Sequence, residues 1–168
     1  MDTKTLTYQL GLTNFVMEQN LRELSQEDSL VEPRKSGNCL NWVLGHLTRT
    51  RLQALALLGQ QPPFPIEDFK AYSGEEPFCR EDALPFEELQ RRFKAVGEPL
   101  ERGLEAMSEE ELAKPAPFSP SDDPKETIGS LLAAIAFHEA YHAGQVGLLR
   151  RVVGREGVVK PPKIPARM

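Results

Sequence analysis

Apolar side chains return at steps of three and four in four separate stretches of this chain, and nowhere do they alternate long enough to make a strand. Each such stretch is a helix with one face to bury. The first carries Leu6, Leu10, Thr13, Met17, Leu21 and Leu24, with Asp2 or Thr3 placed to cap its start and an end expected near Ser25. The second should run from Asn38, a candidate cap, or Leu40 to Leu58, with Gly59 as its stop. Its only full charges are Arg49 and Arg51, so most of it is buried. The third starts near Leu84 or Pro85 and buries Phe86, Leu89, Phe93, Val96, Leu100, Leu104 and Met107. Gly97 and Pro99 predict a kink or break over 95–99. The fourth follows Asp123-Pro124, with acidic residues in its first turn, and continues to Val153 before Gly154. There Arg150 and Arg151 suit the negative end of the helix dipole.

Four helices around one core make an all-α four-helix bundle the expected fold. Its connections are long. Residues 59–83 hold four prolines and two glycines, and read as an irregular link. The expected division is a bundle domain over 1–154 and a loosely held tail over 155–168. A chain of 168 residues needs neither disulfide nor metal merely to hold a core, and Cys39 and Cys79 show no zinc-ribbon spacing. With 25 acidic against 20 basic side chains, phosphate neutralisation and hence nucleic-acid binding are disfavoured. The opening MDTKTLTYQL has no leader-like apolar run, and the apolar stretch 127–138 falls short of the roughly 20 residues of a membrane span. A cytoplasmic protein with free thiols and no membrane partner is the expectation.

The chain has only three histidines. His138 and His142 are four apart on the fourth helix, in line with Leu131, Ile135, Gln145 and Leu149. Both imidazoles therefore share one buried face and sit one turn apart. His46 occupies the same kind of position on the second helix, beside Trp42 and Val43. A lone histidine on an apolar face is ordinarily core; a pair at this spacing, with the third also facing inward, is a ligand set. Three imidazoles suit one divalent transition ion: zinc or nickel first, iron, manganese or copper as alternatives, and not magnesium or calcium. Three protein ligands leave a position open for chemistry.

Residues 138–142 also read HEAYH, the two-histidine signature of zinc proteases, in which Glu139 would be the general base. No strand precedes the helix, and the nearest downstream acid, Glu156, lies beyond the helix stop, so a protease is disfavoured. Glu139 is one residue off the histidine face; it remains a catalytic candidate or a solvated or paired charge. Gln145, one turn past His142, is a second candidate, placed to orient a ligand. Arg49 and Arg51 are candidates for holding the carboxylate of a cofactor, or ordinary surface charges. Trp42 and Cys39 read as packing, and Cys79 as an exposed loop thiol. Ala133, Ala136, Ala140, Ala143, Gly144 and Gly147 give the fourth helix a second face of small side chains, suited to close approach by a neighbour in the bundle or in another subunit.

The segments NWVLGHLTRTR (41–51) and TIGSLLAAIAFHEAYHAGQVGLLRR (127–151) resemble the DinB/YfiT-like family. That resemblance implies a four-helix bundle with a metal triad matching His46, His138 and His142. It implies a metal-dependent enzyme acting on a small-molecule substrate, first a transferase using a low-molecular-weight thiol. The alternatives are a hydrolase with metal-bound water as nucleophile, or a non-catalytic metal- or ligand-binding stress protein. It also implies a homodimer.

Overall fold

The computed structural model describes residues 2–33, 37–75 and 77–158. Four long helices build the core: α1 (Thr3–Leu21), α3 (Leu40–Leu57), α4 (Phe86–Ala106) and α6 (Ile128–Val152). Two single turns, α2 (Gln26–Ser29) and α5 (Glu109–Leu112), sit in the connections. There is no strand among the described residues, only an isolated antiparallel bridge between Pro115 and Thr127. Around the bundle the neighbours are α1, α6, α3 and α4, closing back on α1. The chain is an all-α bundle, and none of its described helices is long and apolar enough to cross a membrane.

The expected stripes are the buried ones. Leu6, Leu10, Thr13, Met17 and Leu21 face inward from α1, and Phe86, Leu89, Phe93, Val96, Leu100 and Leu104 from α4. Helix boundaries moved where local hydrogen bonds outcompete pattern. The Asp2 carboxylate accepts from Thr5 N at 2.7 Å and starts α1. That helix stops at Leu21, and Ser25 instead caps α2 through a reciprocal bond with Asp28. Cys39, not Asn38, is the cap residue of α3, and it offers no side-chain bond. Helix α6 starts at Ile128, four residues after Pro124, because Thr127 and Ser130 form a reciprocal cap. No acid lies in its first turn, since Glu126 falls before the cap and accepts from Ser119 Oγ at 2.7 Å.

Two expectations are corrected outright. The break allowed for over 95–99 does not occur: α4 is one helix through Pro99. The carbonyl that Pro99 deprives of its donor belongs to Ala95, an exposed residue, while Val96 and Leu100 on either side are buried in the core. The 59–83 connection is not irregular throughout. It contains two 3₁₀ turns, Ile66–Tyr72 and Arg80–Asp82, and the first packs on α3. Phe69 and Tyr72 of that turn are fully buried. The Tyr72 hydroxyl donates to Asn41 Oδ1 at 3.0 Å and accepts from Leu84 N at 2.7 Å, and Asn41 Nδ2 donates to Leu84 O at 3.0 Å. Burial pushes the Tyr72 phenol up to about 12, so it stays a donor.

Arg150 and Arg151 lie in the last turn of α6, and Arg150 also reaches across to α1. Its guanidinium donates to Asn20 O at 3.1 Å and also to Arg22 O, closing the last turn of α1, and to Glu156 O at 2.7 Å. Of the expected tail, 155–158 are described; from residue 159 on it lies outside the described residues. The small face of α6 meets α1 in the same chain. Ala136 and Ala143 are buried there, and a side chain at Gly147 would reach Asn20. Ala140 and Gly144 remain on an open apolar groove with Leu12 and Val16.

Tyr72 crosses α3 at Gly45, where an added Cβ would lie 2.2 Å from the ring. Gly45→Ala should therefore lower the unfolding free energy by about 1–3 kcal/mol. Gly11→Ala, with nothing within 4 Å, should raise it by about 0.5–1 kcal/mol. Urea unfolding of the two variants checks the contrast.

Candidate metal centre

Helices α3 and α6 are neighbours, and their histidines meet between them. His46 Nε2 lies 3.1 Å from His138 Nε2, which lies 3.0 Å from His142 Nε2. One ligand nitrogen from each falls within 4.8 Å of the others. Donors about 2.0–2.1 Å from one ion at tetrahedral angles sit about 3.3 Å apart. The separations of His138 from His46 and from His142 are thus within a few tenths of an ångström of that spacing. Trp42 stacks on His46, with ring centroids 4.7 Å apart and planes 9° from parallel, and fixes its orientation.

The outer partners decide which nitrogen of each ring carries the proton. His46 Nδ1 lies 2.9 Å from the carbonyl of Tyr72, which can only accept, so Nδ1 is protonated and Nε2 carries the lone pair. His142 Nδ1 donates to Gln145 Oε1 at 2.7 Å, with the same result. His138 Nε2 therefore faces two lone pairs, and a single proton on it can satisfy only one. A shared cation satisfies all three. Burial holds the rings neutral: desolvation lowers the pKa of His46, opposed by the Tyr72 carbonyl, and that of His142, opposed by Gln145. It pushes His138 down to about 4, with further lowering from His142 and His46. Neutral imidazole is the ligand form.

The two charged candidates beside the histidines are engaged with each other. Glu139 accepts from Arg51 Nε at 2.8 Å and from Nη2 at 2.7 Å, a bidentate pair. Both side chains are inaccessible to solvent. Arg51 is therefore neither a surface charge nor available to a cofactor carboxylate, and Glu139 is not placed as a general base. Arg49 is half-buried, its Nε has no partner among the described residues, and it lies outside the cavity at the triad. Cys39 is buried in the core and Cys79 is exposed. Gln145 alone among the extra candidates touches a triad ring.

His46 and His138 open onto a cavity of 540 Å³ between α3, α6 and the loop preceding α6. Leu57, Leu131, Ala134 and Ile135 form its walls, and Phe118, Phe137 and Tyr141 its rim.

A helical bundle with a three-histidine centre between adjacent helices defines a class of candidate metalloproteins. The chain belongs to the DinB superfamily, whose family model matches residues 12–146. A crystal structure titled as the conserved protein of locus from Enterococcus faecalis shares the fold, with a TM-score of 0.69. Its identity is 17%, over 91% of this chain and 98% of that one. No curated protein matches the chain significantly in sequence.

Two parts of the site were not foreseen from sequence. The Tyr72 carbonyl comes from a loop with no helical period, and a backbone atom leaves no residue signature. The Arg51–Glu139 pair left only half of one: Glu139 interrupts an apolar stretch directly after His138, whereas Arg51 stands beside Arg49, Thr48 and Thr50, where nothing marks it as buried.

Removing one partner strands a buried charge. Arg51→Met should cost about 3–5 kcal/mol. The double change Arg51→Met with Glu139→Leu should restore most of that loss, because no charge is then buried. Denaturant titration of the single and double variants reads the difference.

Proposed function

We propose that this protein is a metal-dependent transferase that joins a low-molecular-weight thiol to an electrophilic small molecule. The observation that carries the reading is the pairing of a three-imidazole donor set with a cavity lined, among the described residues, by no carboxylate, ammonium or guanidinium group. A divalent ion, zinc or nickel first and iron or manganese next, would be held by His46, His138 and His142. When bound, it supplies the Lewis acidity that keeps a sulfur ligand as thiolate or acidifies a water.

The chain's own groups fit the thiol branch better. Hydrolysis of an ester or amide calls for a side chain that takes a proton from water and returns it to the leaving group. Glu139, the nearest carboxylate in sequence, is locked to Arg51. A thiol needs no such relay. Its proton goes to solvent, its sulfur forms the bond to the electrophilic carbon, and the leaving group departs with the electron pair. The residues' part is to bind and orient. Tyr72 and Gln145 aim two imidazoles, Trp42 braces one, and the apolar walls keep water from the electrophile.

Protein purified without affinity metals should carry about one transition ion per chain. His46→Ala should lose it, and Gln145→Ala should weaken its retention about 10–100-fold. Metal content by elemental analysis checks both, and full retention in His46→Ala would falsify the triad. Loaded protein should then consume electrophiles only when a thiol is present. Thiol-independent turnover of esters or amides would establish the hydrolase instead, and silence in both screens the binding protein.

A homodimer through the open part of the α6 small face belongs to the same reading. Sedimentation at micromolar concentration should give twice the chain mass; a monomer overturns it.

A further inference from the structure

The cavity at the triad is selective in what it leaves out. Among the described residues its lining contains no Asp, Glu, Lys or Arg. Thr50 Oγ1, one of its few polar atoms, is already spent on His46 O at 3.0 Å. Gln53, whose side chain is exposed, and the Tyr141 hydroxyl remain as polar groups. A charged group on the body of the substrate, away from the triad, would lose its water and find no counter-charge. The arginines nearest in sequence cannot help, since Arg51 is consumed by Glu139 and Arg49 lies outside the lining.

The mouth says the same. Phe118 is 56% exposed, Phe137 74% and Tyr141 58%, three aromatic rings held in water around one opening. A clustered apolar rim marks a surface that meets a ligand. The loop that carries Phe118 is built in place. Ala116 N donates to Glu126 O and Ile128 N to Lys114 O, both at 2.9 Å, and Ser119 Oγ ties the loop tip to Glu126. The volume of 540 Å³ lies within the roughly 300–1,000 Å³ of small-molecule sites.

We infer that this cavity selects the electrophilic substrate by an uncharged, apolar body, aromatic or branched alkyl, and excludes carboxylate-bearing molecules. The inference rests on the proposed metal chemistry only for which end of the substrate reacts; binding of the body is a property of the walls.

The test uses the full chain in two states, chelator-treated and metal-loaded, titrated calorimetrically at neutral pH with 2-naphthol and 2-naphthoate. In the chelator-treated protein 2-naphthol should bind at least about tenfold more tightly than 2-naphthoate. Gln53→Lys places a cation at the rim on an exposed position, and should close that gap. Ala134→Trp fills the cavity and should abolish 2-naphthol binding. If the tryptophan variant fails to fold, the Gln53→Lys arm still decides. Equal or tighter binding of 2-naphthoate to the chelator-treated wild type, or no binding of either, overturns the inference. A naphthol preference in a protein that takes up no metal supports the cavity and removes the metal reading. One metal per chain without the preference does the reverse.

Discussion

The four long helices share one side chain. Arg51 leaves α3 and meets Glu139 of α6 through two hydrogen bonds, Asn14 Oδ1 of α1 at 2.6 Å, and the ring of Phe93 on α4, 3.9 Å below its guanidinium carbon. Asn14 in turn donates to Glu101 of α4 at 3.1 Å. A flat, fully charged group buried among these partners tolerates no sliding. A shift of one helical residue would strand the charge, at a cost no apolar contact recovers. Hydrophobic burial draws the helices together; the arginine selects the register in which they stop. Glu139 follows His138 directly in the chain, so the register that pairs the charges is also the register that brings His138 to His46.

That dependence divides the support of the three imidazoles unevenly. His46 is aimed by the Tyr72 carbonyl and braced by Trp42, and His142 is aimed by Gln145. His138 Nδ1 is buried with no hydrogen-bond partner among the described residues. Its direction is set by the backbone it shares with Glu139 and by its neighbouring rings. The central ligand of the triad is thus positioned by packing and by the ion pair rather than by an outer acceptor. The loop that supplies Tyr72 depends in turn on Gly45, the one point on α3 where the phenol ring can pass.

The long helices and the triad were legible because both rest on period. Leu6 to Leu21 on α1, or Phe86 to Leu104 on α4, can be read as faces because burial repeats every turn. His138 and His142 share a face by the same arithmetic. Boundaries were less legible, because a cap such as Thr127 with Ser130 is decided by local hydrogen bonds that several nearby residues could have made. Pro99 misled because its cost depends on where the deprived carbonyl points, which is a tertiary fact. The 66–72 turn was missed because its buried residues, Phe69 and Tyr72, are only two among prolines and charges. Arg51 was misread because a lone arginine on a helix is ordinarily solvated, and only the fold shows that its partner lies 88 residues away.

Pairing Glu139 also shapes the chemistry beside it. An unpaired carboxylate next to His138 would favour imidazolium and so compete with a metal for the ring's lone pair. Arg51 cancels that field at close range while keeping both charges out of the cavity. The site is left with neutral donors on one side and apolar walls on the other. In such surroundings an ion held by the triad would be the dominant charge, and its pull would fall on whatever atom occupies the open position rather than being spent on nearby carboxylates. Among the described residues no carboxylate, ammonium or guanidinium group lines the cavity, so the ion pair of Arg51 and Glu139 keeps its charges in the bundle core and out of the space beside the histidines.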